Sequence, residues 1–338
     1  MKTQIYLVRH CESEGNACRR NHAQFDGIVT RKGLVQSEAL AKRFADIPVT
    51  AIYSSDAYRA RMTAEPLAAQ KNLKVRLRRL LKEYTIGCWE GGSIGNTALK
   101  YPDLWKVWIT TPYAHTIPGA DNFVTVAERG VWIIKQMAEE NPGGIVVAIT
   151  HTCTLTCTLT KLFHQPISYY NEIKGGDNTA VTLVEVDEEG NIEVKYVNDI
   201  SHLPPELMRK NYTGRSAETN FAFDTTKDGS YWTIVPKLID VTHGIVHVQR
   251  QTPFGEDTGE VLDLTVDDDL CYKGYAEQAF GEAIEVLRMD GVRYLLMKDN
   301  GVPVFDYLFD RFCFEPWDKD PSYKALRVTV PGIEGPIY

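Results

Sequence analysis

No stretch of the 338 residues approaches 18 consecutive apolar side chains, and no positive-then-apolar segment opens the chain. The first absence speaks against a membrane-spanning helix and the second against export, so a cytoplasmic protein without a membrane partner is expected. Cysteine is sparse and odd in number, at seven; with no export signal this argues for reduced thiols instead of a disulfide frame. Cys153 and Cys157 stand four apart, but only two histidines lie near them in sequence, so they read as small buried hydrophobes and no metal is expected. An excess of positive charge is missing too. Residues 1–205 carry 23 Lys+Arg against 22 Asp+Glu, whereas residues 206–338 carry 14 against 23, a net of −9. That acidic C-terminal third disfavours nucleic acid and other polyanions. What is present, 43% apolar and 24% charged residues, suffices for sizeable cores, and the length fits two domains.

The stretch around which the chain is organised is Ile5-Tyr-Leu-Val-Arg-His-Cys-Glu-Ser-Glu-Gly-Asn16. Ile5 to Val8 form an apolar run that reads as a buried strand, and Ser13, Gly15 and Asn16 mark the loop beyond it. Arg9 and His10 therefore sit at the carboxyl end of a strand, the edge at which open α/β sheets bind ligands. Arg9 offers a planar fork of donors suited to phosphate oxygens, and neutral His10 a nucleophilic nitrogen. The same pair also reads as a plain strand-end cap.

Ile145 to Ile149 is a second fully apolar strand and it too ends at a histidine, His151 after Thr150. Two parallel strands tipped by histidines can face one ligand. Between them the spacing predicts a helix over 34–46 started by Thr30, a strand over 51–54, a helix opened by Ser54-Ser55-Asp56 that carries Arg59, a helical and aromatic segment over 95–111, and a helix over 122–140. Glu83 follows Leu80-Leu81 and precedes Trp89, so its carboxylate is expected among apolar groups, where desolvation suits it to proton donation. Arg61 and the run Arg76, Arg78, Arg79 and Lys82 read as surface. Strands over 179–185 and 192–197 joined at Glu188-Glu-Gly-Asn191 close this part, and Ser201-His-Leu-Pro-Pro205 marks a boundary.

Arg9-His-Cys-Glu-Ser-Glu-Gly-Asn16 resembles the Arg-His-Gly-x-Ser-x-x-Asn signature of the histidine phosphatase (phosphoglycerate mutase-like) superfamily. Further matches follow in order: Thr30-Arg-Lys-Gly33 with Gln36, Tyr53-Ser-Ser-Asp56 with Arg59-Ala60, Leu81-Lys-Glu83 with Trp89-Glu-Gly91, Pro118-Gly-Ala-Asp121 with Arg129, and Thr150-His151 before Asp177-Asn178. The resemblance implies a mostly parallel α/β sheet flanked by helices and hydrolysis of a small phosphomonoester through phosphorylated His10. It implies phosphate binding by Arg9 and Arg59 with Asn16, Ser13, Thr152 and His151, and Glu83 as the acid. The alternatives are a phosphoglycerate mutase or a non-catalytic binding protein. Two positions depart from the family, Cys11 and Thr152, where glycine usually follows each histidine; side chains there threaten the phosphate cradle.

Beyond residue 205, strands are predicted over 231–239, 244–249 and 259–266, a helix over 275–288, a strand over 293–297 and a helix over 303–311. Leu264-Thr-Val-Asp-Asp-Asp-Leu-Cys-Tyr-Lys-Gly-Tyr-Ala276, with Gly291, Asn300, Tyr307 and Phe312-Cys-Phe314, resembles the second half of a GNAT-type acetyltransferase. That family binds acetyl-CoA pyrophosphate on a glycine-rich loop at a helix N-terminus. Here Cys271 replaces the usual Gln or Arg, and Asp267 to Asp269 repel a polyphosphate, so the smaller α+β unit is read as degenerate and no cofactor is expected. The expectation is thus a histidine phosphatase domain over 1–205 and a GNAT-like domain over 206–338, with a homo-oligomer left open.

Overall fold

The computed structural model describes residues 1–208, 218–250 and 252–330. The first part is a six-stranded sheet built from β1 (Thr3–Arg9), β2 (Ala51–Ser54), β3 (Val75–Leu77), β4 (Ile145–Thr150), β5 (Val181–Val186) and β6 (Ile192–Asp199), in the order β3-β2-β4-β1-β5-β6. β1 to β4 are mutually parallel, and β5 and β6 add an antiparallel pair beside β1. The apolar runs at β1 and β4 have the cause expected of them. Tyr6, Val8, Val147 and Ile149 pack into a core on one face, whereas Ile5, Leu7, Val146 and Ala148 pack into another on the opposite face.

Helices cover both faces. After the short α1 (Glu14–Ala17) comes α2 (Arg31–Arg43), whose first turn is capped by Thr30 accepting from the Gly33 amide. α3 (Tyr58–Lys71) follows β2. The aromatic segment expected as one helix is two, α4 (Ile94–Lys100) and α5 (Pro102–Thr110). Pro102 cannot donate into a continuing helix but fits the first turn of a new one. α6 (Phe123–Glu140) begins at an Asn122 cap, and α7 (Thr152–Leu162) leaves directly from the tip of β4. Cys153 and Cys157 are buried on α7 with their sulfurs 3.9 Å apart, and no cluster of metal-ligating side chains occurs among the described residues.

A second sheet follows, built from β7 (Ala222–Asp228), β8 (Tyr231–Leu238), β9 (Val241–Thr242), β10 (Gly244–Gln249), β11 (Thr258–Val266), β12 (Tyr294–Lys298), β13 (Glu315–Pro316) and β14 (Tyr323–Arg327). Its order is β13-β14-β12-β11-β10-β8-β7, with β9 on β8. All neighbours are antiparallel except β11 and β12. That parallel pair needs a crossover. The chain between them forms the three-residue α8 (Asp268–Leu270) and then α9 (Ala276–Met289), and α10 (Pro303–Arg311) follows β12. The core under this sheet takes in Ala17, Cys18 and Ile28 from the first part beside Val246, Ile284, Leu287 and Leu295. No described helix is long and apolar enough to cross a membrane.

Candidate active site

The register of the two central strands builds the site. β1 and β4 pair so that Arg9 lies opposite Thr150, and the His10 amide donates to the Thr150 carbonyl at 2.9 Å. The next residue of each strand is a histidine, so both imidazoles emerge side by side, with ring centroids 5.1 Å apart. His10 is 4% exposed, and its Nδ1 lies 2.6 Å from the Cys11 carbonyl oxygen. A carbonyl only accepts, so Nδ1 carries the proton and Nε2 keeps its lone pair. Burial first, then the Arg59 and Arg9 guanidiniums and His22, hold the His10 imidazolium well below its ordinary range. The ring is neutral at pH 7.

A cavity of about 310 Å³ opens in front of it. Of the side chains expected at the site, Arg9, His10, Asn16, Glu83 and Thr152 line this cavity. Arg9 donates to the Gly176 carbonyl at 2.7 Å. The Asn16 side-chain oxygen accepts from the Ser13 amide at 3.2 Å, so its NH₂ is the end it offers to the cavity.

Arg59, His151 and Ser13 are not among the residues that line the cavity, although the His151 ring stands beside that of His10. Arg59 is fully buried; its guanidinium donates to the Ala23 and Phe25 carbonyls, to Asp26 at 3.0 Å and to His151 Nδ1 at 3.2 Å. Because a guanidinium only donates, His151 Nδ1 accepts and Nε2 carries the proton toward Ser55 Oγ at 2.8 Å. Burial, with Arg59 next, pushes the His151 imidazolium well down, so this ring is neutral as well. Ser13 Oγ sits between Asn16 Oδ1 at 3.3 Å and His22 Nε2 at 3.2 Å.

Glu83 also departs from expectation. Leu80 and Leu81 pack into the core under the sheet, and the carboxylate instead meets the start of α7. It accepts from the amides of Cys153 at 3.0 Å, Thr154 at 2.9 Å and Tyr84 at 3.0 Å, and from Thr154 Oγ1 at 3.1 Å. The setting is polar because unpaired amides at a helix N-terminus attract an anion. Glu83→Gln replaces one acceptor oxygen by a donor that opposes those amides. If Glu83 carries the proton to the leaving group, the substitution slows poor leaving groups by ~10²–10⁴ and activated aryl phosphates much less. Equal loss on both, in steady-state rates across leaving groups, assigns Glu83 to holding α7 alone.

The two replaced glycines cause no backbone strain. Neither Cys11 nor Thr152 is among the non-glycine residues with positive φ. The Cys11 side chain is buried beneath the site, its amide donates to Thr63 Oγ1 at 2.8 Å, and burial pushes its thiol up, keeping it neutral.

Sequence reasoning gave no role to two residues that the fold brings here. Asn178 lines the cavity and donates from Nδ2 to the His10 carbonyl at 2.9 Å; its place within the ordered matches was the available signal. His22 stands 6.1 Å from the His10 ring and is pushed down to about 3, by burial first and then Arg59. It sits in a polar loop with no periodicity to betray it. The far wall is aromatic, formed by Tyr84, Trp105, Trp108 and Tyr170, with Tyr84 stacked on Trp108 at 5.5 Å.

Comparison with known proteins agrees with this geometry. The sequence profile of the Histidine phosphatase superfamily (branch 1) matches residues 5–200. The chain is 26% identical over 200 residues to Phosphoserine phosphatase 1 of Hydrogenobacter thermophilus, covering 59% of this chain and 94% of that protein. It is also 26% identical over 204 residues to Probable phosphoglycerate mutase GpmB of Escherichia fergusonii, with the same two coverages. Among solved structures, Bacillus stearothermophilus YhfR superposes with a TM-score of 0.57 at 26% identity, covering 59% of this chain and 98% of that one. The fold of a phosphoserine phosphatase from Entamoeba histolytica is similar as well, with a TM-score of 0.53 at 21% identity over 60% of this chain and all of that one. Since the profile spans more than half of the residues and runs through both histidine-tipped strands, the chain belongs to the histidine phosphatase superfamily, as an enzyme of the phosphatase type.

Proposed function

We propose that the enzyme hydrolyses a small phosphomonoester through a phosphohistidine on His10. The observation that carries this reading is the tautomer of His10: Nδ1 is tied to the Cys11 carbonyl, and Nε2 is left as a lone pair in a cavity that Arg9 and Asn16 also line. The Nε2 lone pair attacks phosphorus while the bond to the ester oxygen breaks, and that oxygen leaves with the electron pair and takes a proton from the Glu83 carboxyl. Water then gives a proton to the Glu83 carboxylate and attacks phosphorus. The P–N bond breaks, its electrons return to Nε2, and inorganic phosphate departs. Arg9 and Asn16 stabilise the charge on the phosphoryl oxygens. Arg59, through His151 and the loop of Ala23 to Asp26, holds the pocket in shape.

The relatives include both a phosphoserine phosphatase and a probable phosphoglycerate mutase, so phosphoryl return to substrate is the second reading. Hydrolysis is favoured because only 67 residues separate Glu83 from His151, without the long insertions expected of a mutase. Turnover of a panel containing phosphoserine, 3-phosphoglycerate and an aryl phosphate tests the choice. Release of inorganic phosphate is expected. Isomerisation of phosphoglycerate without release makes the enzyme a mutase, and no turnover of any ester makes it a binding protein.

We further propose that the part of the chain from residue 206 on is a GNAT-like unit that does not bind acetyl-CoA. Its support is the antiparallel sheet with the single parallel pair β11 and β12 around α9, and Gly274 at a φ of 93° just before that helix. Carboxylates crowd the presumed pyrophosphate place: Asp268 and Asp269 open α8, and Glu277, buried in the first turn of α9, has its carboxyl pushed up by burial. Titration calorimetry of the intact chain with acetyl-CoA is expected to show no saturable binding; a micromolar isotherm overturns this.

A further inference from the structure

None of the described residues beyond Asn178 lines the catalytic cavity, yet the C-terminal half grips the loop behind it. The loop that follows His10 carries two acids, Glu12 and Glu14, whose side chains are 5% and 0% exposed, and Glu12 is itself part of the cavity wall. Among the described residues each has one ion-pair partner, and both partners come from the C-terminal half. Arg311, the last residue of α10, pairs with Glu12 at 2.7 Å, and Arg288 of α9 pairs with Glu14 at 2.7 Å. A third pair runs the other way, from Arg20 of the loop to Glu282 of α9, also at 2.7 Å.

The two arginines are themselves held. Arg311 lies 3.7 Å from Glu277, which accepts from the Tyr307 hydroxyl at 2.5 Å, and Arg288 pairs with Glu285 at 3.1 Å while its Nε donates to the Val328 carbonyl. Backbones also press together at this contact. A Cβ built on Gly281 would stand 2.3 Å from Cys18 Cβ, so α9 can approach the loop this closely only with glycine there.

These contacts have an electrostatic consequence for the chemistry. A phosphomonoester enters as a dianion, and a buried carboxylate without its cation in the cavity wall repels it at short range, where screening is weak. We propose that the C-terminal half is a charge-compensating brace of the phosphate site, and that Arg311, through Glu12, and Arg288, through Glu14, are positioning residues of the phosphatase reaction. They cancel the loop's two buried negative charges and fix the segment that presents His10 and Asn16. The C-terminal part, of which no described residue lines the cavity, thereby sets how well that cavity takes phosphate. The inference rests on the phosphatase reading of the cavity.

The test uses the full chain and inorganic phosphate as the probe, with dissociation constants from titration calorimetry and KM and kcat on 4-nitrophenyl phosphate. Arg311→Met is expected to weaken phosphate binding and raise KM by about tenfold or more, with a smaller fall in kcat. The double variant Glu12→Gln/Arg311→Met, which removes both charges, is expected to return both constants to within about threefold of wild type. Glu12→Gln alone removes a negative charge from the cavity wall while Arg311 keeps Glu277 at 3.7 Å, and is expected to tighten phosphate. A merely structural role predicts loss in all three variants and no reversal of sign. Equal phosphate affinity in all four proteins, or a double variant no better than Arg311→Met, overturns the proposal. If Arg311→Met does not fold, the double variant and Glu12→Gln decide between the same outcomes. Because binding is measured apart from turnover, a wild type that binds phosphate but hydrolyses no ester counts against the phosphatase reading alone.

Discussion

His10→Ala is expected to lower kcat on any phosphomonoester by at least ~10⁴-fold, because the other imidazole of the cavity wall, His22, has both ring nitrogens engaged, by Ser13 Oγ and the Arg20 carbonyl. The acid-labile phosphoryl label formed on the wild type with a labelled substrate should disappear with it. The fold is expected to survive, since the backbone bond from the His10 amide to the Thr150 carbonyl is untouched and, among the described residues, the ring bonds only the neighbouring carbonyl. Circular dichroism and a thermal melt separate the two effects. A variant that keeps near wild-type turnover overturns the assignment of His10. One that loses the label but keeps turnover points to direct attack by water.

Arg59→Met is expected to act on stability and activity together. The substitution leaves the Ala23 and Phe25 carbonyls without their donor and Asp26 with the Tyr58 amide but without its cation, and it leaves His151 Nδ1 facing a methyl group. Removing one partner of a buried ion pair typically costs about 3–5 kcal/mol, and Asp26 is partly exposed, so the lower end applies. Urea unfolding reads this cost. Activity should fall by at least ~10²-fold, since freeing His151 and the loop of Ala23 to Asp26 misplaces the site by an ångström or so. If Arg59 touched the phosphate directly and did nothing else, affinity would fall while stability stayed put. That result would return it to the cavity wall.

The difference between these two residues also shows what the sequence makes legible. His10 is placed by a run of apolar residues on a strand buried on both faces, a strong local pattern, and His151 repeats it. The pairing of those strands needs no further information. The depth of Arg59 is another matter, because its acceptors are carbonyls of residues 23 and 25, and no side-chain pattern records a carbonyl. Glu83 misled for a related reason: its neighbours in sequence are apolar, but the groups that surround it are amides of residues 153 and 154. Among the strands, β7 was missed because Ala222–Asp228 is a sheet edge with exposed polar residues after its first two, so it carries no alternating signal. The two-residue β13 is too short to show a pattern, and β14 has only Ala325 and Leu326 buried among its five residues. The pairs Glu12–Arg311 and Glu14–Arg288 span some three hundred residues of chain, and a lone acid or arginine announces no partner at that distance.

The core beneath the second sheet, which takes in Ala17, Cys18 and Ile28, has a consequence in time. A ribosome adds residues in order, and at 5–20 residues per second the helix that seats Cys18 emerges on the order of tens of seconds after Cys18 itself. Through that interval the six-stranded sheet can form, but the segment beyond His10 has no lid for its apolar side chains and no cation for its acids. On the proposal above, the nascent site is expected to take phosphate more weakly and to expose apolar side chains beside the place where it will later do chemistry. The phosphate site is completed last, when α9 and α10 dock on the segment beyond His10.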